Sequence, residues 1–153
     1  MKKISRDTPL SELTLRKYEK PENLKDRELV RKLCLSLGLL QPGDSRDVIV
    51  DVFHVLLKSK KSLTSTEVEK LVIQNRKKAK QQLLGIAPSN IRRQILRLRD
   101  LFLVEKLKNS YRIREQAKLA DLFNDNLEKY YLNAILLRVR EYLKESDRRF
   151  AKQ

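Results

Sequence analysis

Four arginines, Arg92, Arg93, Arg97 and Arg99, fall within eight residues of this 153-residue chain, with only Asp100 beside them to balance their charge. A guanidinium fork matches the paired acceptors of a phosphate or a guanine edge, so this density points to nucleic acid more than to an ordinary solvated face. Ser89 and Asn90 precede the cluster, and an Asn fork suits an adenine edge in the same way. A second basic set follows at Lys106, Lys108, Arg112 and Arg114, and a third, Arg76, Lys77, Lys78 and Lys80, lies upstream. A run like the third is as often a solvated ridge as a contact surface.

Other candidates for chemistry are poorer. Asp47, Asp51, His54 and Lys58 share one stripe at helical spacing; three of them could ligate a cation, but a fourth ligand is missing and Lys58 repels one. His54 is the single histidine, no Ser or Cys nucleophile is tied to it, and three glycines build no phosphate loop. The expectation is a protein without catalytic residues, metal or cofactor. A single cysteine, Cys34, excludes an internal disulfide and reads as a core thiol.

Local spacing places these groups on elements. Ser89 is expected to cap a helix over 89–102, with Pro88 ahead of it and Ile91, Ile95, Leu98 and Phe102 as its buried stripe. Val104–Leu107 and Tyr111–Arg114 alternate apolar and charged residues around Lys108–Ser110, the pattern of a hairpin. Thr64-Ser65-Thr66-Glu67 reads as a capping box opening another helix. Asp44 or Ser45 is expected to cap a helix over 45–59 whose polar stripe is its one wet edge. Further upstream, Leu29, Val30, Leu33, Cys34 and Leu37 predict a helix from a cap at Asn23 or Asp26 to a stop at Gly38. The lead-in holds at most a helical turn around Ser11 to Tyr18. From Glu115 to about Lys144 the chain predicts one long helix whose apolar face is too wide for a lone surface helix.

The order helix 45–59, capped helix from Thr64, basic helix 89–102 and hairpin 103–114 resembles the winged helix-turn-helix DNA-binding proteins, in the manner of archaeal or bacterial transcription regulators. The resemblance covers about residues 44–114 and rests on pattern. It implies a mainly α fold with a small β-hairpin wing, an N-terminal arm and helix (1–43), a winged domain (44–114) and a C-terminal dimerisation helix (115–153). It implies that Leu98, Leu101, Leu103 and Val104 seat the recognition helix, that Asn90, Arg92, Arg93 and Arg97 face the major groove, and that Lys106, Lys108, Arg112 and Arg114 are wing contacts. Two departures stand out. Phe102 occupies a position where the family has glycine, so that turn is expected to be built differently. About 25 residues separate Thr64 from Ser89, so either the second helix runs to near Leu83 or an extra basic piece is inserted, with Arg76–Lys80 on an extended ridge.

Charge agrees with an anionic partner. The formal net charge is +15. Residues 1–43 hold 10 basic and 6 acidic side chains, 44–114 hold 17 and 7, and 115–153 hold 8 and 7, so the excess is +4, +10 and +1. Two thirds of it lies in the segment that resembles a DNA-binding unit. No run approaches the ~20 apolar residues of a membrane span, and Met1–Arg6 lacks the apolar stretch of a secretory signal, which predicts a cytoplasmic, nucleoid-associated protein. Tyr111, Tyr130 and Tyr131 could stack on bases but fall on core stripes. The leading expectation is a homodimeric, sequence-preferring binder of double-stranded DNA. Rival expectations are an adaptor or RNA-binding subunit of a larger machine, meeting RNA or an acidic protein, and a chromatin-type packing protein.

Overall fold

A computed structural model describes residues 7, 9–44 and 46–152, so Ser45 as a cap and the stretch Met1–Arg6 lie outside the described residues. The elements run α1 (Asp26–Ser36), α2 (Val48–Lys58), β1 (Leu63–Thr64), α3 (Ser65–Lys78), α4 (Pro88–Asp100), β2 (Val104–Leu107) and β3 (Ser110–Ile113). A C-terminal helix follows as α5 (Leu119–Leu122), a π-wound segment (Phe123–Leu132) and α6 (Asn133–Phe150). The fold is mainly helical with a small antiparallel sheet of order β1-β3-β2.

Helix α2 is the hub, because α1, α3 and α4 all pack on it. Eight of its eleven residues are buried. Its β-branched residues disfavour a helix by a few tenths of a kcal/mol each, whereas burying each such side chain is worth about 1.5–3 kcal/mol. Burial wins, and Val68, Val72, Ile91, Ile95 and Leu98 from α3 and α4 complete the core around Phe53.

The polar stripe of α2 is a wet edge only in part: His54 is half-buried and Lys58 exposed, but Asp47 and Asp51 are turned to internal partners. Asp51 is 4% exposed and faces Arg76 of α3, also 4% exposed. Arg76 donates from Nε and Nη2 to Asp51 at 2.9 and 2.6 Å, and from Nη2 to Asp47 at 2.8 Å. Its remaining nitrogen, Nη1, donates to the Gln82 carbonyl at 2.8 Å. Arg27 of α1 reaches the same carboxylates from the other side, at 3.0 Å to each. Asp47 and Asp51 thus form an internal seam that locks α1 and α3 onto α2. Apolar periodicity could not show this, since the two arginines lie 20 or more residues away in sequence.

Helix ends also depart from expectation. α1 starts at Asp26 with Lys25 at its N-cap, and α2 starts at Val48 with Asp47 there; neither makes a side-chain cap bond. Asp44 instead accepts from the Arg46 N–H. Gly38 does stop α1, at φ +74, with Gly38 and Leu39 donating back to Leu35 and Cys34. A Cβ there would lie 2.2 Å from the Glu12 carbonyl oxygen, because the lead-in passes close by. That lead-in has no regular secondary structure over 11–20, and Thr14 caps α1 by donating to Ser36 and Leu35 carbonyls. Cys34 is fully buried, and burial pushes its thiol up to about 12.

The C-terminal helix begins at Leu119, since Glu115 and Gln116 take positive φ values of 55° and 51°. Half-buried or buried residues recur at Leu122/Phe123, Asn126/Leu127 and Tyr131/Leu132. Spacings of four and five stay in line under i→i+5 winding, whereas a turn of about 3.6 residues would fan them out. The wide apolar face is therefore two faces in succession. Among the described residues no helix is long and apolar enough to cross a membrane.

Removing Asp51 strands a buried guanidinium. Asp51→Ala is expected to lower unfolding free energy by about 3–5 kcal/mol, read from the urea midpoint, and a loss below ~1 kcal/mol would refute the seam's role. Asp47 carries the acid side of the same seam. Burial alone would raise its pKa, but the hydrogen bonds from Arg76 and Arg27 prevail and hold it below its ordinary value. A depressed folded pKa means stability that is complete above the unfolded value of about 3.9 and falls away below it, so the melting temperature should drop below about pH 4, less steeply in Asp47→Asn.

Candidate nucleic-acid interface

The basic helix starts one residue earlier than its sequence suggests. Pro88 takes the first helical position, where a missing N–H costs nothing and φ is already suitable, and Ala87 is the N-cap. Ser89 is therefore not the cap; it stands exposed at the second position. One side of α4 buries Ile91, Gln94, Ile95 and Leu98. The opposite side exposes Ser89, Arg92, Arg93, Leu96, Arg99 and Asp100. Leu96, 50% exposed, sits in the middle of this face. The side chains of Arg92, Arg93 and Arg99 make no hydrogen bond or ion pair among the described residues.

Two expected contact residues are occupied elsewhere. Asn90 donates to the Gly85 carbonyl at 2.7 Å and accepts from Gln94 at 2.9 Å. Arg97 donates to Gln94 at 2.9 Å and to the Leu39 carbonyl at 2.8 Å. This polar chain fastens α4 to the loop before it and to the end of α1. Burial and the neighbouring Arg93 lower the Arg97 pKa from the ordinary guanidinium value. Gln94, its buried centre, gave no signal in the sequence beyond its i−4 and i+3 spacing to Asn90 and Arg97. Arg99, by contrast, belongs on the outward face although it was not among the expected groove contacts.

Phe102 does not change the turn after α4. It takes φ +62, the left-handed conformation that favours glycine. The N–H groups of Phe102 and Leu103 donate to Arg99 and Leu98 carbonyls at 2.9 and 3.1 Å, which closes the helix end in the usual way. The ring is half-buried rather than part of the core stripe. It packs on Tyr131 with centroids 6.3 Å apart, and the Arg114 guanidinium lies 5.8 Å from its centroid. These contacts hold an aromatic where backbone strain alone would select glycine. The same helix-closing turn, with Leu101, Leu103 and Val104 buried around it, sets the line of the hairpin.

The hairpin turns through Lys108–Asn109, a two-residue tip, because Ser110 already pairs with Leu107. Lys108 supplies the positive φ, +56°, that such turns need at their first position. Glu105 faces Arg112 across the strands and accepts from it at 3.3 Å. Glu105 also accepts from the Glu115 N–H at 2.7 Å, and that bond, ahead of the bond from Arg112, holds its carboxyl below the ordinary range. Arg112 and Arg114 are thus spent on Glu105 and Phe102. Lys106 lies over the Tyr111 ring at 5.8 Å with its side chain exposed, and Lys108 is exposed at the tip. Tyr111 and Tyr131 are half-buried, but Tyr130 is exposed and outside the core.

Of the upstream set, Arg76 belongs to the buried seam and faces no partner outside. The Thr64–Glu67 capping box opens α3 as read from the sequence. α3 ends at Lys78 rather than near Leu83, and residues 79–87 form a connection pinned by Arg76 at Gln82 and by Asn90 at Gly85. Lys77, Lys78 and Lys80 are exposed there, Lys80 at φ +55. No protein-family model, no curated protein and no solved structure matches the chain.

The division between outward and fastened arginines is open to measurement. Arg97→Ala is expected to reduce stability by about 1–3 kcal/mol through the orphaned Leu39 carbonyl and Gln94, whereas Arg93→Ala stays within about ±0.5 kcal/mol, both by chemical denaturation. Lys80→Gly relieves a left-handed residue that makes no side-chain bond among the described residues and is expected to stabilise by about 1 kcal/mol; a fall in melting temperature would contradict this.

Proposed function

We propose that this chain binds double-stranded DNA, with α4 in the major groove and the β2–β3 hairpin along the backbone. One observation carries the reading: Arg92, Arg93 and Arg99 point outward together without internal partners among the described residues, while the arginines the fold needs, Arg27, Arg76 and Arg97, are all hydrogen-bonded inside it. The order α2-β1-α3-α4-β2-β3 and the sheet order β1-β3-β2 support a winged helix-turn-helix reading. In that reading α4 is the recognition helix, Arg92 and Arg93 reach base edges, and Leu96 meets thymine methyl groups. Arg99, Lys106 and Lys108 contact phosphates, as do Lys77, Lys78 and Lys80 from the loop side. Transcription regulation is the role that fits a base-reading helix of this kind.

A second reading takes the same face to structured RNA or an acidic protein, with Leu96 as its apolar anchor. Binding to random duplex, single strands and hairpin RNA at two salt concentrations separates the two. Arg93→Ala and Arg92→Ala are each expected to weaken a preferred duplex by about 1–3 kcal/mol and relax its sequence preference, and Lys108→Ala to weaken all duplexes alike and reduce the salt slope by about 1. Unchanged duplex affinity in both arginine variants would refute the assignment. Preference for RNA over duplex would establish the second reading.

A further inference from the structure

We propose that α6 pairs antiparallel with α6 of a second copy, in a register where Ile135 faces Ser146 and Val139 faces Tyr142 of that copy. None of its 18 residues is buried, although Ile135, Leu136, Val139, Tyr142, Leu143 and Phe150 are large, apolar and exposed. An apolar face of that length on an otherwise balanced helix has no use in a lone chain.

The spacing chooses the kind of partner. Ile135, Val139, Tyr142 and Ser146 follow each other at four, three and four, the alternating seam of a two-stranded coil of helices. Leu136, Leu143 and Phe150 flank the seam on one side, and Arg138 and Glu145 flank it on the other.

Charge complementarity chooses the direction. In a parallel pair each flank meets the opposite one, so Arg138 would lie against Leu143 and Glu145 against Phe150, stranding both charges on apolar neighbours. In an antiparallel pair like flanks meet. Arg138 then meets Glu145 of the second copy, twice by symmetry, and Leu136 meets Leu143 on the other side. Among the described residues of one chain Glu145 accepts only from Arg148 and Arg149, both exposed, and a carboxylate has lone pairs to spare for a third donor.

The same register places Phe150 of the second copy level with Tyr131, and Arg149 level with Leu132. Leu132 borders an apolar cavity of about 470 Å³ between the lead-in, α1 and the C-terminal helix, lined also by Leu13, Leu33, Leu103, Phe123 and Leu127.

Cysteine cross-linking in the full chain tests the register. Ile135→Cys and Ser146→Cys chains, mixed, are expected to form a disulfide-linked dimer, and either chain alone is not. Identical positions would be offset by 11 residues along the helix, about 16 Å, far beyond the ~7 Å a disulfide spans. Native Cys34 is fully buried and does not compete. Efficient linkage of Ile135→Cys to itself would overturn the antiparallel register. A monomer by light scattering at about 100 µM, where a micromolar dimer is full, would overturn the pairing itself. Arg138→Glu is expected to raise the dimer dissociation constant roughly tenfold, and adding Glu145→Arg in the same chain to restore it, with circular dichroism unchanged. No rescue would remove the charge pairing from the proposal.

Discussion

Two carboxylates one turn apart at the start of α2 hold the molecule's geometry. Asp47 and Asp51 take Arg27 from α1 on one side and Arg76 from α3 on the other. Apolar contacts supply most of the free energy of folding, but they are non-directional and would tolerate some sliding of α1 and α3. Paired forks on carboxylates do not. Desolvating the Asp51–Arg76 pair offsets much of its attraction, so the seam contributes definition of the packing more than net stability. Its reach extends further through the Arg76 bond to Gln82, which anchors the connection leading into α4.

Helix ends perform the complementary task. α1, α3 and α4 each close through a residue with positive φ, Gly38, Lys80 and Phe102. Each closure satisfies carbonyls that would otherwise be orphaned and turns the chain sharply towards the next element. Glycine is needed at the first because the lead-in passes within contact distance, whereas Lys80 stands in solvent and Phe102 gains ring contacts with Tyr131 and Arg114. The third closure aims the hairpin beside α4, and Glu105 then ties the hairpin to the chain that leaves it.

Cations are sorted by these same constraints. A guanidinium near an α2 carboxylate or an uncapped carbonyl is drawn inward, because the charge-assisted bonds it makes there offset its lost hydration and leave no buried acceptor alone. Those without such a neighbour stay on the surface. Arg92, Arg93 and Arg99 are the residue of that sorting on α4, and they concentrate charge on one face beside Lys106 and Lys108. The C-terminal helix is sorted differently: π winding keeps Leu122, Leu127 and Leu132 in register with the body, and α winding resumes where contact with the body ends.

Local information was legible in the sequence. The Thr64–Glu67 box, the stop at Gly38, the existence of α1 to α4, the hairpin and the buried stripe Ile91-Ile95-Leu98 depend on spacing within one element, which the chain displays directly. The charge excess of residues 44–114 and the arginine density of α4 were legible for the same reason. What tertiary structure alone decided is which polar groups meet. Arg76 and Arg97 look no different in sequence from Arg92 and Arg93; the first two find Asp51 and the Leu39 carbonyl only because α2, α3 and α1 pack where they do. Asn90 and Arg112 were diverted likewise, by Gly85 and Glu105. Periodicity reports which side of a helix is apolar, and a partner 20 or more residues away is invisible to it until the core has closed.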